Sequence, residues 1–477
     1  MNSPRYDFFA EVLLDKPQAV LLRHGERELT RGRFFEQSIR LLNHLVQMGA
    51  RHGDRIVISL ENRPEYLELV AALALGGMTA CPVDPAISQA QLEKTREQVK
   101  ASLTITSYDQ LAYSLSDAVP DCVAQGGLDA PFLVVFSSGT TGAPKGIVQS
   151  VGNFFRAAAA FAAAVGMREG ESTLHNWPMF YNAGLFNLFA CPLMSGGSVV
   201  VGKRFAARDI GDFWQTLAER RPSYVYLSPT MASSVAKTSR FFKPDLTALQ
   251  QARVITTSSI LYPAIKDEFK RILGADLSPC FGITELGGSF TIGGPDAGAF
   301  SVGQVMPGVT VSIDAAADGE LLVSTPFMAL GYLVDGELKE PFDREQVFRT
   351  GDLGHLEGKE LFISGRKKDS IKKGGELINL SEIEDLVHAA DLCEECYAVG
   401  RPDLFWGETY DVFFIAPQGG SAEEVKAELL RLFNQALPQT QRPDRIEAVN
   451  SIPRTSSGKP IKRLISYQGV TAPQAGQ

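Results

Sequence analysis

The sequence predicts an α/β protein. It has a large N-terminal domain of layered, mostly parallel sheets with covering helices, a small β subdomain, and a small α/β C-terminal domain. Three observations predict this. Short apolar runs of strand length alternate with amphipathic stretches of helix length, the pattern of a parallel sheet covered on both faces. The stretches Gly319 to Leu330 and Lys359 to Ile363 read instead as short sheet pieces with turns, an antiparallel closure of the large part. Near residue 366 the chain turns polar and basic, Arg366-Lys-Lys-Asp-Ser-Ile-Lys-Lys373, and a new strand–helix series begins. The expected domains are 1–365 and 366–477.

The elements follow in order. From Arg33 to Met48, Phe34, Ile39, Leu42, Leu45 and Val46 recur at helical spacing. Ile56 to Leu60 is a strand pattern, Glu65 to Leu75 a helix, and Gly76-Gly77 breaks the chain before the strand-like Thr79 to Val83. Phe132 to Val135 is apolar enough for a buried strand. Phe154 to Gly166 reads as a buried Ala-rich helix; it is too short to span a bilayer and contains Arg156. In the C-terminal part, Ser381 to Ala389 and Glu423 to Ala436 read as helices, Cys396 to Gly400 and Tyr410 to Ala416 as strands. The tail from Ala472 is Gln/Pro/Gly-rich and is expected to fray. No internal repeat is visible.

Composition narrows the function. At 477 residues, 44% hydrophobic and 21% charged, the chain has ample material for a core, which excludes a mainly disordered or fibrous protein. A formal charge of −9 supplies no general basic field, so nucleic acid is not an expected partner. Six cysteines are too few for a disulfide scaffold, and the lone pair Cys393/Cys396, with no second pair, reads as two reduced thiols rather than a zinc site. The N-terminus lacks the basic-then-apolar order of a signal peptide. The expectation is a soluble cytoplasmic protein without a membrane span.

The clearest chemical feature is Phe136-Ser-Ser-Gly-Thr-Thr-Gly-Ala-Pro-Lys-Gly146. A strand running into a Gly/Ser/Thr loop with one lysine can cradle phosphate: backbone N–H groups converge, hydroxyls donate, and glycine avoids Cβ clashes. The competing reading is a flexible surface linker. It is not a Walker A loop, because Pro144 precedes Lys145 and Gly146 follows it.

This loop resembles the phosphate loop of the adenylate-forming superfamily, which includes acyl-CoA synthetases, nonribosomal peptide adenylation domains and luciferases. Further matches follow in the family's order: Gly49 to Pro85; Phe281-Gly-Ile-Thr-Glu285; Thr350-Gly-Asp352; the hinge-like Gly365-Arg-Lys-Lys-Asp-Ser-Ile-Lys-Lys-Gly-Gly375; and Pro453-Arg-Thr-Ser-Ser-Gly-Lys459. The resemblance covers nearly the whole chain. It implies two half-reactions using ATP and Mg²⁺. A carboxylate attacks the α-phosphorus to give acyl-AMP and pyrophosphate, and a nucleophile then displaces AMP. Because the first step brings two anions together, the site must supply positive charge and fixed geometry.

The resemblance assigns roles residue by residue. Ser137, Ser138, Gly139, Thr140, Thr141, Gly142 and Lys145 would hold the ATP phosphates. Thr284 would bond the α-phosphate, and Glu285 would bind magnesium, a hard cation that takes oxygen ligands. Taken alone, Glu285 is one of 55 acidic residues. Phe281 and Gly282 would pack on adenine, Phe281's alternative being core packing. Asp352, otherwise a turn residue, would accept the ribose hydroxyls. Arg366, otherwise a surface charge, would support ribose or phosphates. Lys459, otherwise a solvated lysine, would bridge the attacking carboxylate and the phosphates. Lys368 would be the hinge of a mobile C-terminal domain, whose rotation withdraws Lys459 and brings Gly374 and Gly375 to a thiol channel.

Three departures bear on the acid. The family's Pro-x-x-His reads Pro178-Met-Phe-Tyr181, so Tyr181, with Asn182 adjacent, replaces the histidine. Tyrosine cannot become cationic near neutral pH. Amino-acid-activating members usually carry Asp near this point, which argues against a free α-amino acid. Gly-Gly-Ala in the acyl site reads Thr257-Ser258-Ser259, and Pro279 stands where Asn is common. The added side-chain atoms should raise the pocket floor. Trp177, Phe180, Tyr181 and Phe186 are either an aromatic wall or core. The expected function is activation of a small carboxylic acid, aromatic or short-chain, with transfer to a thiol, either CoA or the phosphopantetheine of an acyl carrier protein. The alternatives are an amide-forming ligase and, in a different class, a non-catalytic nucleotide-binding scaffold.

Overall fold

A computed structural model describes residues 3–124, 127–137, 145–259, 261–314, 319–339, 347–373, 376–454 and 460–465. The strand–helix alternation is realised in two sheets. The smaller, of seven strands, pairs Arg55–Ile58 in parallel with Thr79–Pro82 and Leu103–Ile105, and continues through Pro131–Ser137 and Lys145–Ser150. The larger, of thirteen strands, has parallel strands Ser172–His175, Ser198–Val201, Tyr224–Leu227, Arg253–Thr256 and Leu277–Ile283 at its centre.

The short sheet pieces read as a separate closure continue this larger sheet. Leu277–Ile283 pairs in parallel with Arg253–Thr256 on one side and antiparallel with Gly288–Ile292 on the other, and the antiparallel run extends to Glu320–Ser324 and Glu360–Arg366. The reversal follows from chain direction. A 3₁₀ turn at Thr284–Leu286, closed by Gly287 at φ +94°, folds the strand back beside itself.

Helices begin where local chemistry allows. Arg31–Gln47 starts at Thr30, whose hydroxyl accepts from Arg33 N at 3.3 Å. Val151–Val165, the Ala-rich segment, starts at Ser150, whose hydroxyl accepts from Asn153 N at 3.1 Å, and stops at left-handed Gly166. Its residues Phe154, Ala158, Phe161 and Val165 are buried in the main core. Among the described residues no helix is long and apolar enough to cross a membrane.

Between Arg366 and Ser370 the chain leaves the thirteen-stranded sheet through one 3₁₀ turn, Lys367–Asp369, and enters a five-stranded sheet. That sheet and the helices Leu380–Ala390 and Ala422–Ala436 enclose their own apolar core, with Val387, Val412, Phe414 and Leu429 at its centre. Cys393 and Cys396 are free thiols there, Cys396 buried.

Candidate active site

In an α/β sheet, ligands bind beyond the carboxyl ends of parallel strands. Here the chain following Ser172–His175, Arg253–Thr256 and Leu277–Ile283 surrounds a cavity of about 700 Å³. Tyr181, Thr257, Ser258 and Ser259 line it, as do Phe281, Gly282 and Thr284. From the far end of the large sheet come Asp352 and Arg366, and from the C-terminal part Pro460, Ile461 and Lys462, immediately after Lys459. Motifs scattered along the chain thus converge on one space.

The Phe281–Glu285 segment is held from several sides. Gln149 donates through Nε2 to Thr284 O at 2.5 Å. Tyr332 Oη donates to Glu285 Oε1 at 3.1 Å, and Ala329 N to Glu285 O at 2.8 Å. Burial and the Glu285 carboxylate hold the Tyr332 phenol protonated, well above its ordinary pKa. Among the described residues no three His, Cys, Asp or Glu cluster as a metal cage. A single half-buried carboxylate with its second oxygen outside the Tyr332 bond fits magnesium shared with phosphates, which keeps few protein ligands.

Asp352 is 3% exposed and lies opposite Arg366 in the antiparallel pair; Arg366 Nε approaches its Oδ1 at 2.8 Å. Behind it, Gly351 at φ +71° donates its N–H to Glu320 Oε1 at 3.2 Å. Burial pushes the Glu320 carboxyl up, but hydrogen bonds from Arg349, Lys367 and Gly351 outweigh it and leave it below its usual range. This network fixes the Thr350–Asp352 turn from beneath.

Part of the cavity lining is aromatic. Tyr181 and Phe186 line the cavity. Phe186 packs face-on to Gly288, where a Cβ would stand 2.6 Å from the ring. Trp177 does not line it. Its indole is 2% exposed, stacks on Tyr181 at 6.1 Å and donates to Tyr226 O at 2.7 Å, a core role. Phe180 lies under the Arg204 guanidinium instead. Of the four aromatics considered as a wall, two belong to it. The floor carries a polar chain: Ser289 Oγ donates to Asn187 Oδ1 at 3.1 Å and contacts Cys280 Sγ, which bonds Thr257.

The segment after Lys459 is anchored by Lys462 Nζ, 2.7 Å from Glu384 Oε1 on helix Leu380–Ala390. On the same helix His388 packs against Tyr262 of the large part, ring centroids 4.1 Å apart, and burial pushes its pKa down to about 4.

Several expected residues lie outside the described ones: Ser138, Gly139, Thr140, Thr141 and Gly142, Gly374 and Gly375, and Lys459. Ser137 and Lys145 are described in backbone only, as partners across an antiparallel pair, so the loop between them joins adjacent strand ends. Lys368 is described in backbone only, within the turn between the two sheets. Sequence reasoning missed Gln149, Tyr332, Asn187 and Lys462. The first two act on a motif distant in sequence, and no local pattern marks them.

A family model described as AMP-binding enzyme matches residues 9–333, and one described as AMP-binding enzyme C-terminal domain matches residues 382–459. The chain is 26% identical over 478 residues to a feruloyl-CoA synthase of an Amycolatopsis species, covering 94% of this chain and 95% of the relative. It is 27% identical over 491 residues to an indoleacetate–CoA ligase of Aromatoleum aromaticum, covering 93% and 94%. Its fold is similar to that of ATP-bound MatB from Rhodopseudomonas palustris, with a TM-score of 0.83 at 21% identity, covering 97% and 98%.

Proposed function

The chain belongs to the AMP-binding enzyme family, and we propose from that premise that it is an AMP-forming ligase joining a compact carboxylic acid to CoA. The observation that carries this is the convergence of Thr284, Asp352, Arg366 and the segment after Lys459 on the cavity that Tyr181 and Thr257 also line. Nucleotide groups and acyl groups share one space, as attack of a carboxylate on the α-phosphorus requires.

The proposed roles combine the family resemblance with the placement of the described residues. Asp352, compensated by Arg366, accepts the ribose hydroxyls and fixes the nucleotide along the strand edge. Phe281 and Gly282 pack on adenine. The residues from Ser137 to Lys145 supply hydroxyls and one charge to the β- and γ-phosphates, and Thr284, held by Gln149, donates to the α-phosphate. Magnesium, which Glu285 would hold, supplies charge neutralisation on the phosphates when bound. Lys459 draws the carboxylate and α-phosphate together. The acid's oxygen bonds to phosphorus as the bond to pyrophosphate breaks. In the second half the thiolate of CoA bonds to the acyl carbon and AMP leaves with the electron pair.

Residues 1–365 act as the adenylating body and 366–477 as the moving part, with Lys368 as the pivot and Gly374 and Gly375 beside the thiol. Their separate cores and the single turn joining them support that division. Relatives named for CoA ligation favour CoA over a carrier-borne thiol or an amine. The test is incubation with ATP, Mg²⁺, CoA and a panel of aromatic and short acids, with mass detection of thioester and AMP. Equal amounts of acyl-CoA and AMP are expected. Acyl-AMP that accumulates with CoA present and passes only to a carrier protein or an amine would overturn the acceptor.

A further inference from the structure

Two polar side chains at the acyl end of the cavity have no task in the reaction as derived. Ser258 stands at φ +87°, the left-handed region where glycine is the ordinary occupant and a Cβ is disfavoured. Its Oγ is buried and meets no hydrogen-bond partner among the described residues. Asn182, 7% exposed, opens the short helix Asn182–Leu185, and its Oδ1 is likewise buried without a partner among the described residues. Both residues line the cavity. The neighbouring floor behaves differently, because Asn187, Ser289, Cys280 and Thr257 satisfy one another.

A buried polar atom left unpaired is costly, and so is a side chain at positive φ. Glycine at 258 would remove the strain and the unpaired hydroxyl together. Strain and unpaired polar atoms that coincide at a ligand cavity point to recognition. The unpaired atom of Asn182 is its Oδ1, an acceptor, whereas the Ser258 hydroxyl both donates and accepts. The complementary ligand group is one that donates to the amide oxygen and accepts from the serine, a hydroxyl. Tyr181 and Phe186, which line the same cavity, favour a compact, partly aromatic remainder.

We propose that Ser258 and Asn182 form a hydrogen-bonding subsite for a hydroxyl substituent on the acid, so that the enzyme activates hydroxylated acids in preference to their unsubstituted analogues. The inference rests on the acid-ligase reading. An acid lacking the hydroxyl displaces water from the pocket and leaves both side chains unpaired, which is how a hydrogen-bonding site rejects an apolar analogue.

The experiment is ATP–pyrophosphate exchange with matched acids, benzoate against 2-, 3- and 4-hydroxybenzoate and butyrate against 3-hydroxybutyrate. It is run on wild type, Ser258→Gly and Asn182→Leu. In wild type at least one hydroxylated acid should exceed its partner in kcat/KM by about tenfold or more. Each substitution should bring that ratio towards one. Ser258→Gly should also raise Tm, which a merely structural serine would not do. The proposal is overturned if the wild-type ratio is one or less for every pair, or if the preference survives both substitutions; either result leaves the ligase reading standing. No exchange with any acid would overturn both.

Discussion

Arg366 Nε lies 2.8 Å from Asp352 Oδ1, and the two residues face each other across neighbouring antiparallel strands. The carboxylate is 3% exposed and would be costly there without a cation. The guanidinium, half-exposed at the strand end, compensates it and fixes its orientation toward the cavity.

Arg366→Ala should therefore destabilise the fold by about 1–2 kcal/mol, discounted because the arginine is half in water. Asp352→Asn keeps the shape and should cost less than about 1 kcal/mol. Both should raise KM for ATP about tenfold or more. Urea unfolding with ATP-dependent kinetics separates the two effects; an unaltered KM in both variants would remove Asp352 from ribose binding.

In the proposed reaction, Lys459→Ala removes a charge needed only while the carboxylate meets the α-phosphate. Adenylation should fall by about two to four orders of magnitude. Thioester formation from supplied acyl-AMP should survive. Equal loss in both half-reactions would make Lys459 structural.

Lys368 lies in the turn where the chain passes from one sheet to the other. Proline fixes φ near −65° and obstructs a pivot that needs two backbone conformations. Lys368→Pro should preserve acyl-AMP formation and slow transfer to the thiol by about tenfold or more. Unchanged single-turnover transfer would place the pivot elsewhere.

Thr257 is buried in the cavity floor. Adenylation efficiency should fall as a straight-chain acid lengthens past medium length, each unaccommodated methylene forfeiting about 0.8 kcal/mol. Thr257→Gly should partly restore the longer acids. A wild-type preference for palmitate over benzoate would contradict this, as would preference for a free amino acid.

His388, packed on Tyr262, has its pKa lowered to about 4 by burial. A depressed histidine contributes stability that is fully present above its unfolded pKa near 6.5 and is lost as pH falls through about 4. Glu68, buried, and Asp385, half-buried, are each raised to about 7 by desolvation and act in the opposite sense, so the comparison with a variant isolates the histidine. The stability difference between wild type and His388→Gln should shrink by about 1–2 kcal/mol between pH 6.5 and 4. A difference independent of pH would mean that His388 does not titrate in the contact.

Much of this was legible in the sequence. The helices at Arg31–Gln47 and Ala422–Ala436 and the strands Arg55–Ile58 and Gly407–Ile415 follow from apolar period and turn residues, which are local signals. The joining of the antiparallel strands to the main sheet was not, because Leu277–Ile283 serves both halves, and its parallel pairing with Arg253–Thr256 and antiparallel pairing with Gly288–Ile292 leave no mark in apolar period. Thr257-Ser258-Ser259 was visible as a departure, but the positive φ of Ser258 and its unpaired hydroxyl are properties of the folded backbone. Trp177 and Phe186 sit nine positions apart in one aromatic-rich run. Only packing assigns the first to the core alone and the second to the cavity.

The central claim is that one cavity activates an acid with ATP. Acid-dependent exchange of labelled pyrophosphate into ATP, without any thiol, tests it most directly, because exchange requires reversible formation of acyl-AMP and nothing else. Exchange should depend on Mg²⁺ and on a compact acid and be lost in Lys459→Ala. Tight ATP binding with no exchange for any acid in the panel would contradict it and leave a nucleotide-binding scaffold.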